Sequence, residues 1–167
     1  MFEKGADREP MAQTAALSFE YTSFIPDVTR EDVWRTIGNW DGVNNELGPL
    51  IKMSYPKTYA QLADIPADGK SYFTAGVTLF GIIPIDRHKF AFVGKDIPNY
   101  FDERSSNLNM KFWSHKRTLI EREGGVEVTD TCAFIPRIGF MGGFLRATFS
   151  WVFRRRHQRL KKQFGVS

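Results

Sequence analysis

The stretch MKFWSHKRTLIEREGGVEVTDTCAFI, Met110 to Ile135, alternates along both halves and breaks at Gly124-Gly125, the pattern of two long antiparallel strands joined by a tight turn. With Gly124-Gly125 as a two-residue turn, Glu123 pairs with Val126, Leu119 with Asp130, Arg117 with Cys132 and His115 with Phe134. Paired residues share a face, so Trp113, His115, Arg117 and Leu119 lie with Val128, Asp130, Cys132 and Phe134. Phe112, Ser114, Lys116 and Thr118 take a more polar side. The first face is apolar except for an imidazole, a guanidinium and a carboxylate, which suggests the wall of a pocket. On this register Arg117 and Asp130 are diagonal neighbours within ion-pairing reach. His115 and Asp130 stand too far apart for a direct dyad. Glu103, on the preceding strand, is the expected carboxylate partner of His115 or Arg117.

Working outward, Tyr100 to Ser105 alternates with Phe101, Glu103 and Ser105 inward, and Arg87 to Val93 does so with His88, Phe90 and Phe92 inward. Ser71 to Leu79 reads as a strand bent near Gly76, and Leu50 to Met53 as a short one. Pro56 to Asp68 carries no periodic pattern. Leu17 to Phe24 is the first strand. Two short helices follow it: one begins at the capping Thr29 and stops near Gly38, and the other runs from Asp41 to Leu47. Beyond Pro136, a Gly-punctuated link leads to a long helix from Phe144 to Phe164, with Leu145, Phe149, Val152 or Phe153, Leu160 and Phe164 close to every 3.6 residues. The fold class is α+β: a curved antiparallel sheet around a long C-terminal helix, with two short helices after the first strand. Residues 1–15 lack a pattern and are expected to be a flexible extension, with residues 16–167 forming one domain.

Composition narrows the function classes. A chain of 167 residues is about one domain's worth. Fifteen Phe, five Tyr and four Trp suit a core or the wall of a hydrophobic cavity. The net charge of +4 collects largely in one helical run, Arg154, Arg155, Arg156, Arg159, Lys161 and Lys162, which reads first as a solvated face. No nucleic-acid partner is expected, and anionic membrane contact through that run would be weak. A single Cys132 excludes an intrachain disulfide and fits a reducing compartment. Apolar runs fall short of the ~18 residues of a membrane span, so a cytoplasmic protein is expected. The three His lie in no metal-ligand spacing, and neither a phosphate loop nor G-x-S-x-G occurs. No metal or other cofactor is therefore expected, nor a hydrolase or kinase activity. His157, inside the basic run, is expected to be exposed.

The order of elements resembles the helix-grip plan of the START-like or SRPBCC superfamily, which includes Bet v 1-like proteins and polyketide cyclase/dehydrases. The resemblance spans Leu17 to Gly165. It is carried most specifically by Leu47-Gly48-Pro49-Leu50, Phe101-Asp102-Glu103-Arg104-Ser105, Trp113-Ser114-His115-Lys116-Arg117 and Thr129-Asp130. Val152-Phe153, Arg156-His157-Gln158-Arg159-Leu160 and Phe164-Gly165 add to it. Together these are similar to a group of bacterial SRPBCC proteins, most of them without an assigned activity. The resemblance implies a deep hydrophobic cavity between sheet and final helix. Such cavities bind lipids, sterols or polyketides and, in a minority of members, catalyse cyclisation or dehydration.

Three uses of the polar residues follow. They form a satisfied buried network, they anchor the polar end of a hydrophobic or amphipathic small molecule, or His115 with Glu103 does acid–base chemistry of the cyclase/dehydrase type. The candidate ligand-binding set is Trp113, His115, Arg117, Glu103, Asp130, His88, Phe90, Phe92, Cys132 and Phe134, enclosing a cavity of several hundred Å³, the usual size of small-molecule sites. A further reading has Arg154, Arg155, Arg159 and Lys162 docking the chain on an anionic membrane.

Overall fold

The structure, a computed structural model, describes residues 16–166, so the expected N-terminal extension lies outside the described residues. Strand β1 (Leu17–Pro26) leads into helices α1 (Arg30–Ile37) and α2 (Trp40–Leu47), then β2 (Ile51–Met53) and β3 (Phe73–Leu79). Next come β4 (Ile83–Phe90), β5 (Phe92–Asp96), β6 (Tyr100–Ser105), β7 (Met110–Arg122), β8 (Gly125–Pro136) and the long helix α3 (Gly142–Gln163). Two antiparallel sheets result, ordered β1-β8-β7-β6-β5 and β2-β3-β4. The strand read from Arg87 to Val93 passes from one sheet to the other at Ala91, and a bridge between Lys89 and Ser106 keeps the two sheets in contact.

Local chemistry places the short elements. Thr29 and Asp32 form a reciprocal capping box that starts α1. The Asn39 side chain caps α2, and a Cβ on Gly42 would stand 1.9 Å from the Thr36 carbonyl, so the close α1–α2 turn requires glycine there. Asn44 exchanges two hydrogen bonds with the Met53 backbone, at 2.8 and 3.0 Å, which ties β2 to α2. The segment 56–68 holds two 3₁₀ turns, Lys57–Tyr59 and Leu62–Asp64. The Lys95 ammonium clasps the second by donating to the carbonyls of Ala63 and Ile65.

The β7–β8 register differs from the expected one by two residues: Arg122 pairs with Gly125, Arg117 with Asp130, His115 with Cys132 and Trp113 with Phe134. Glu123 and Gly124 make the turn. Each glycine has a separate reason. Gly124 takes φ +78°, which the turn needs, while Gly125 lies in the ladder opposite Pro26, where a Cβ would meet the Ile25 carbonyl at 2.2 Å. A shift of two preserves the side-chain faces and changes which residues stand opposite one another.

Three apolar clusters fill the interior. Ile25, Val33, Ile37, Leu119, Val126, Val128 and Leu160 close the end nearest the β7–β8 turn. Trp40, Leu62, Ile65, Phe90, Phe92 and Phe101 pack beneath α2 and the 3₁₀ turns. Met110, Trp113, Cys132, Phe134 and Phe153 occupy the other end.

Candidate functional site

Between these clusters runs a belt of buried polar side chains, because inward positions of successive elements turn polar at the same level. On β8 Asp130 falls between Val128 and Cys132, on β7 Arg117 and His115 fall between Leu119 and Trp113, and on α3 Arg156 and His157 fall between Phe153 and Leu160. Strand β6 adds Glu103, β4 adds His88 and α2 adds Glu46.

Asp130 is the hub. Its Oδ1 accepts from His115 Nε2 at 2.9 Å and Arg117 Nε at 2.7 Å. Its Oδ2 accepts from Arg117 Nη2 at 2.6 Å and His157 Nε2 at 3.0 Å. All the acceptor capacity of the carboxylate is used. Arg117 reaches past it to Glu46, with Nη1 and Nη2 at 2.7 and 2.9 Å, and Arg156 closes on the same carboxylate from α3. The Ser23 hydroxyl meets His157 Nδ1 at 2.9 Å and brings in β1. The direct His115–Asp130 contact corrects the expectation that the two are too far apart. The two-residue register shift moves Asp130 from opposite Leu119 to opposite Arg117, one inward position from His115.

Glu103 sits on the second half of the belt. His88 Nε2 lies 2.5 Å from its Oε1, Ser105 Oγ donates to the same oxygen at 2.6 Å, and His115 Nδ1 stands 3.8 Å from Oε2. Its nearer partner is thus His88, and His115, one of the two expected partners, is the more distant one.

The charges are strongly coupled. Burial alone would raise the carboxyl pKa of Glu46, Asp130 and Glu103, but the guanidinium and imidazole groups bonded to them outweigh it. Arg117 and Arg156 hold Glu46 below the usual carboxylate range, Arg117 and His115 hold Asp130 well below it, and His88 and His115 hold Glu103 below it. Burial pushes the Cys132 thiol far up, which leaves it an inert core residue.

An apolar cavity of about 150 Å³ adjoins this belt. Trp40, Val43 and Leu47 of α2, Phe101, Trp113 and Met110 of the main sheet, and Phe149 and Phe153 of α3 enclose it. Asp86, His88, Glu103, Asn107, His115 and Arg156 are its polar lining residues. The volume falls short of the several hundred Å³ expected because aromatic rings occupy the space under α3: Trp113 and Phe149 are 5.1 Å apart, as are His115 and Phe153.

Of the ten residues expected to bind a ligand, Trp113, His115, Glu103, His88 and Phe90 line this cavity. Arg117, Asp130, Phe92, Cys132 and Phe134 do not: they share the inward face but are fully covered, the first two by their ion pairs and the others by neighbouring rings and α3. His157, expected at the surface, is buried on Asp130 and Ser23. The basic run divides as well. Arg156 is buried, Arg154 lies over Tyr21 of β1, and Arg159 donates to the Asn45 carbonyl on the α2 side. Sequence reasoning missed Glu46, Arg156 and Asn107. For the first two a signal existed: Glu46 sits beside Leu47 on the buried stripe of α2, and Arg156 follows Phe149 and Val152 in the α3 stripe.

The five-stranded curved sheet, the companion three-stranded sheet and the gripping α3 define the helix-grip fold of the START-like/SRPBCC superfamily. The chain belongs to the family described as a domain of unknown function, DUF8410, whose model matches residues 26–164. Comparison with curated protein sequences gave no match. Among solved structures, the chain is similar to protein CV1439 from Chromobacterium violaceum, with TM-score 0.67, 9% identity and coverage of 90% of this chain and 98% of that one. The Zhui aromatase/cyclase from Streptomyces sp. R1128 gives TM-score 0.66, 11% identity and coverage of 90% and 94%. A START superfamily protein from Mycobacterium smegmatis gives 0.63, 4% identity and coverage of 90% and 98%. At these identities the likeness is one of fold. Among the described residues, no helix is long and apolar enough to cross a membrane.

Proposed function

We infer that this protein encloses a hydrophobic or amphipathic small molecule between its sheet and α3. The observation that carries this reading is the apolar cavity of about 150 Å³ with a few polar groups in its wall, the composition that small-molecule sites share. A void of that size lined by apolar groups holds about one six-membered ring. The polar belt divides in two on this reading: Asp130, Arg117, Glu46 and His157 lock four elements together, while His88, Glu103, His115 and Asn107 face the ligand. Native mass spectrometry of the purified protein, followed by solvent extraction, tests it. A carried-over apolar compound is the expected result, and a protein that retains none and takes up no small aromatic compound contradicts it.

One observation favours a second reading. Asp130 holds His115 by Nε2 at 2.9 Å, which leaves the other ring nitrogen, Nδ1, on the Glu103 side, 3.8 Å from its Oε2, in a residue that lines the cavity. That is the arrangement of an oriented general base, and one structural neighbour is an aromatase/cyclase. Deuterium exchange at the methyl group of acetophenone in D₂O checks it. The acid–base reading expects exchange catalysed by the wild type and lost in His115→Ala, and equal rates for the two proteins refute it.

A further inference from the structure

One contact on the cavity wall is incomplete as a hydrogen bond. Asn107 Oδ1 accepts from the backbone N–H of Met110 at 2.8 Å and of Asn109 at 3.0 Å, which fixes the oxygen end of the amide and turns Nδ2 toward His88. Nδ2 stands 3.5 Å from His88 Nδ1, beyond good hydrogen-bond length. The other ring nitrogen, Nε2, is held by Glu103 at 2.5 Å.

Charge counting decides the state of that ring. The belt holds three carboxylates, Glu46, Glu103 and Asp130, against two guanidiniums, Arg117 and Arg156, so a single imidazolium neutralises it. Both guanidiniums are engaged by Glu46 and Asp130, which leaves Glu103 to His88. Burial opposes charge on His88, but the nearby Glu103 and, more weakly, Asp86 raise its pKa. A cationic His88 carries a proton on Nδ1 too. Two N–H donors then face each other across 3.5 Å with no acceptor between them, and turning the Asn107 amide over would set its NH₂ against two backbone N–H groups. The groups around His88 are Glu103 and Ser105 of β6, Asp86 of its own strand, His115 of β7 beyond Glu103, and Arg156 of α3, already spent on Glu46.

We propose that His88 and Asn107 form a two-donor clamp for the carbonyl oxygen of a neutral, one-ring apolar ligand. The clamp rests on the ligand-enclosing reading given above and adds the ligand's chemistry. Neutrality follows from the balanced belt: a carboxylate ligand would bring an uncompensated negative charge beside Glu103 and Asp86, in a site that already hides its charges. Ring size follows from the cavity volume of about 150 Å³.

Calorimetric titration of the full chain with acetophenone, with its isostere α-methylstyrene and with benzoate tests the clamp. Asn107→Asp retains the oxygen that accepts the two backbone N–H groups and removes the N–H donor. In that variant, acetophenone affinity is expected to fall about tenfold or more, the weight of one good hydrogen bond, while α-methylstyrene affinity stays within about twofold. Benzoate is expected to bind the wild type more weakly than acetophenone. The carbonyl stretch of acetophenone bound to the wild type is expected below its value in hexane, a readout that needs no variant. If α-methylstyrene binds while acetophenone is indifferent to Asn107→Asp or its carbonyl stretch is unshifted, the clamp is wrong and the cavity reading survives. Tighter binding of benzoate overturns the neutrality of the ligand. If neither neutral probe binds, both the clamp and the cavity reading fall.

Discussion

Asp130→Asn is the most searching perturbation of the belt. The wild-type carboxylate accepts four hydrogen bonds at 2.6 to 3.0 Å and is fully buried. An amide has one oxygen, so two of the four donors meet an NH₂ group instead. His157 can adapt by moving its proton to Nδ1 and donating to Ser23, but Arg117 has no such tautomer. The belt also gains a net positive charge. Breaking a buried ion pair on one side costs about 3–5 kcal/mol, and for a chain of this size each kcal/mol lowers the melting temperature by about 2–4 °C, so a drop of roughly 6–20 °C is expected. Urea and thermal unfolding followed by circular dichroism measure it. Adding Arg117→Met removes the donors left without an acceptor, so the double variant is expected to lose at least about 1 kcal/mol less than the sum of the two single losses. A single-variant loss below about 1 kcal/mol, or strict additivity, refutes the claim that Asp130 is the hub.

Stability is also expected to depend on pH at both ends of the range. Glu46, Asp130 and Glu103 have depressed pKa values in the fold, so their contribution is present above the unfolded carboxylate range and is lost as pH falls toward their folded values. His88 has a raised pKa, so its contribution is complete below the unfolded histidine value and disappears as pH rises through the folded one. Urea midpoints from pH 3 to 9 check both limbs, and the alkaline decline is expected to be absent in His88→Gln. The two turn glycines separate in the same assay. Gly124→Ala is expected to cost about 1–2 kcal/mol for a left-handed residue, and Gly125→Ala more, because its Cβ would overlap the Ile25 carbonyl. The reverse order refutes the assignment of the turn to Glu123-Gly124.

Alternation and helical period carried the fold into the sequence. Each strand from β6 to β8 was legible to within a residue or two because one face is buried and the other is wet, and the long helix because its apolar positions recur. The faces survived a wrong register because a shift of two keeps parity. What did not survive was adjacency. Whether His115 touches Asp130 depends on which glycine makes the turn, and that was decided by the close approach of β1 to Gly125, a contact about 100 residues away along the chain. Glu46 and Arg117 are 71 residues apart, and nothing local in either segment names the other. On α3 the density of basic residues hid that Arg156 and His157 fall on the apolar stripe and turn inward. The cavity's size was illegible for a related reason: sequence reveals which rings face inward, but not how closely those of α3 and the sheet interdigitate.

The claim that everything else depends on is that a small molecule enters between sheet and α3, and the methionines report on it directly. Met53 packs against the aromatic cluster under α2 and Met110 beside Trp113; both line the cavity, whereas Met141 does not. In protein labelled with methyl-¹³C methionine and titrated with toluene, the Met53 and Met110 methyl resonances are expected to shift together and saturably while that of Met141 stays in place. Unmoved Met53 and Met110 resonances at saturating toluene would contradict the account.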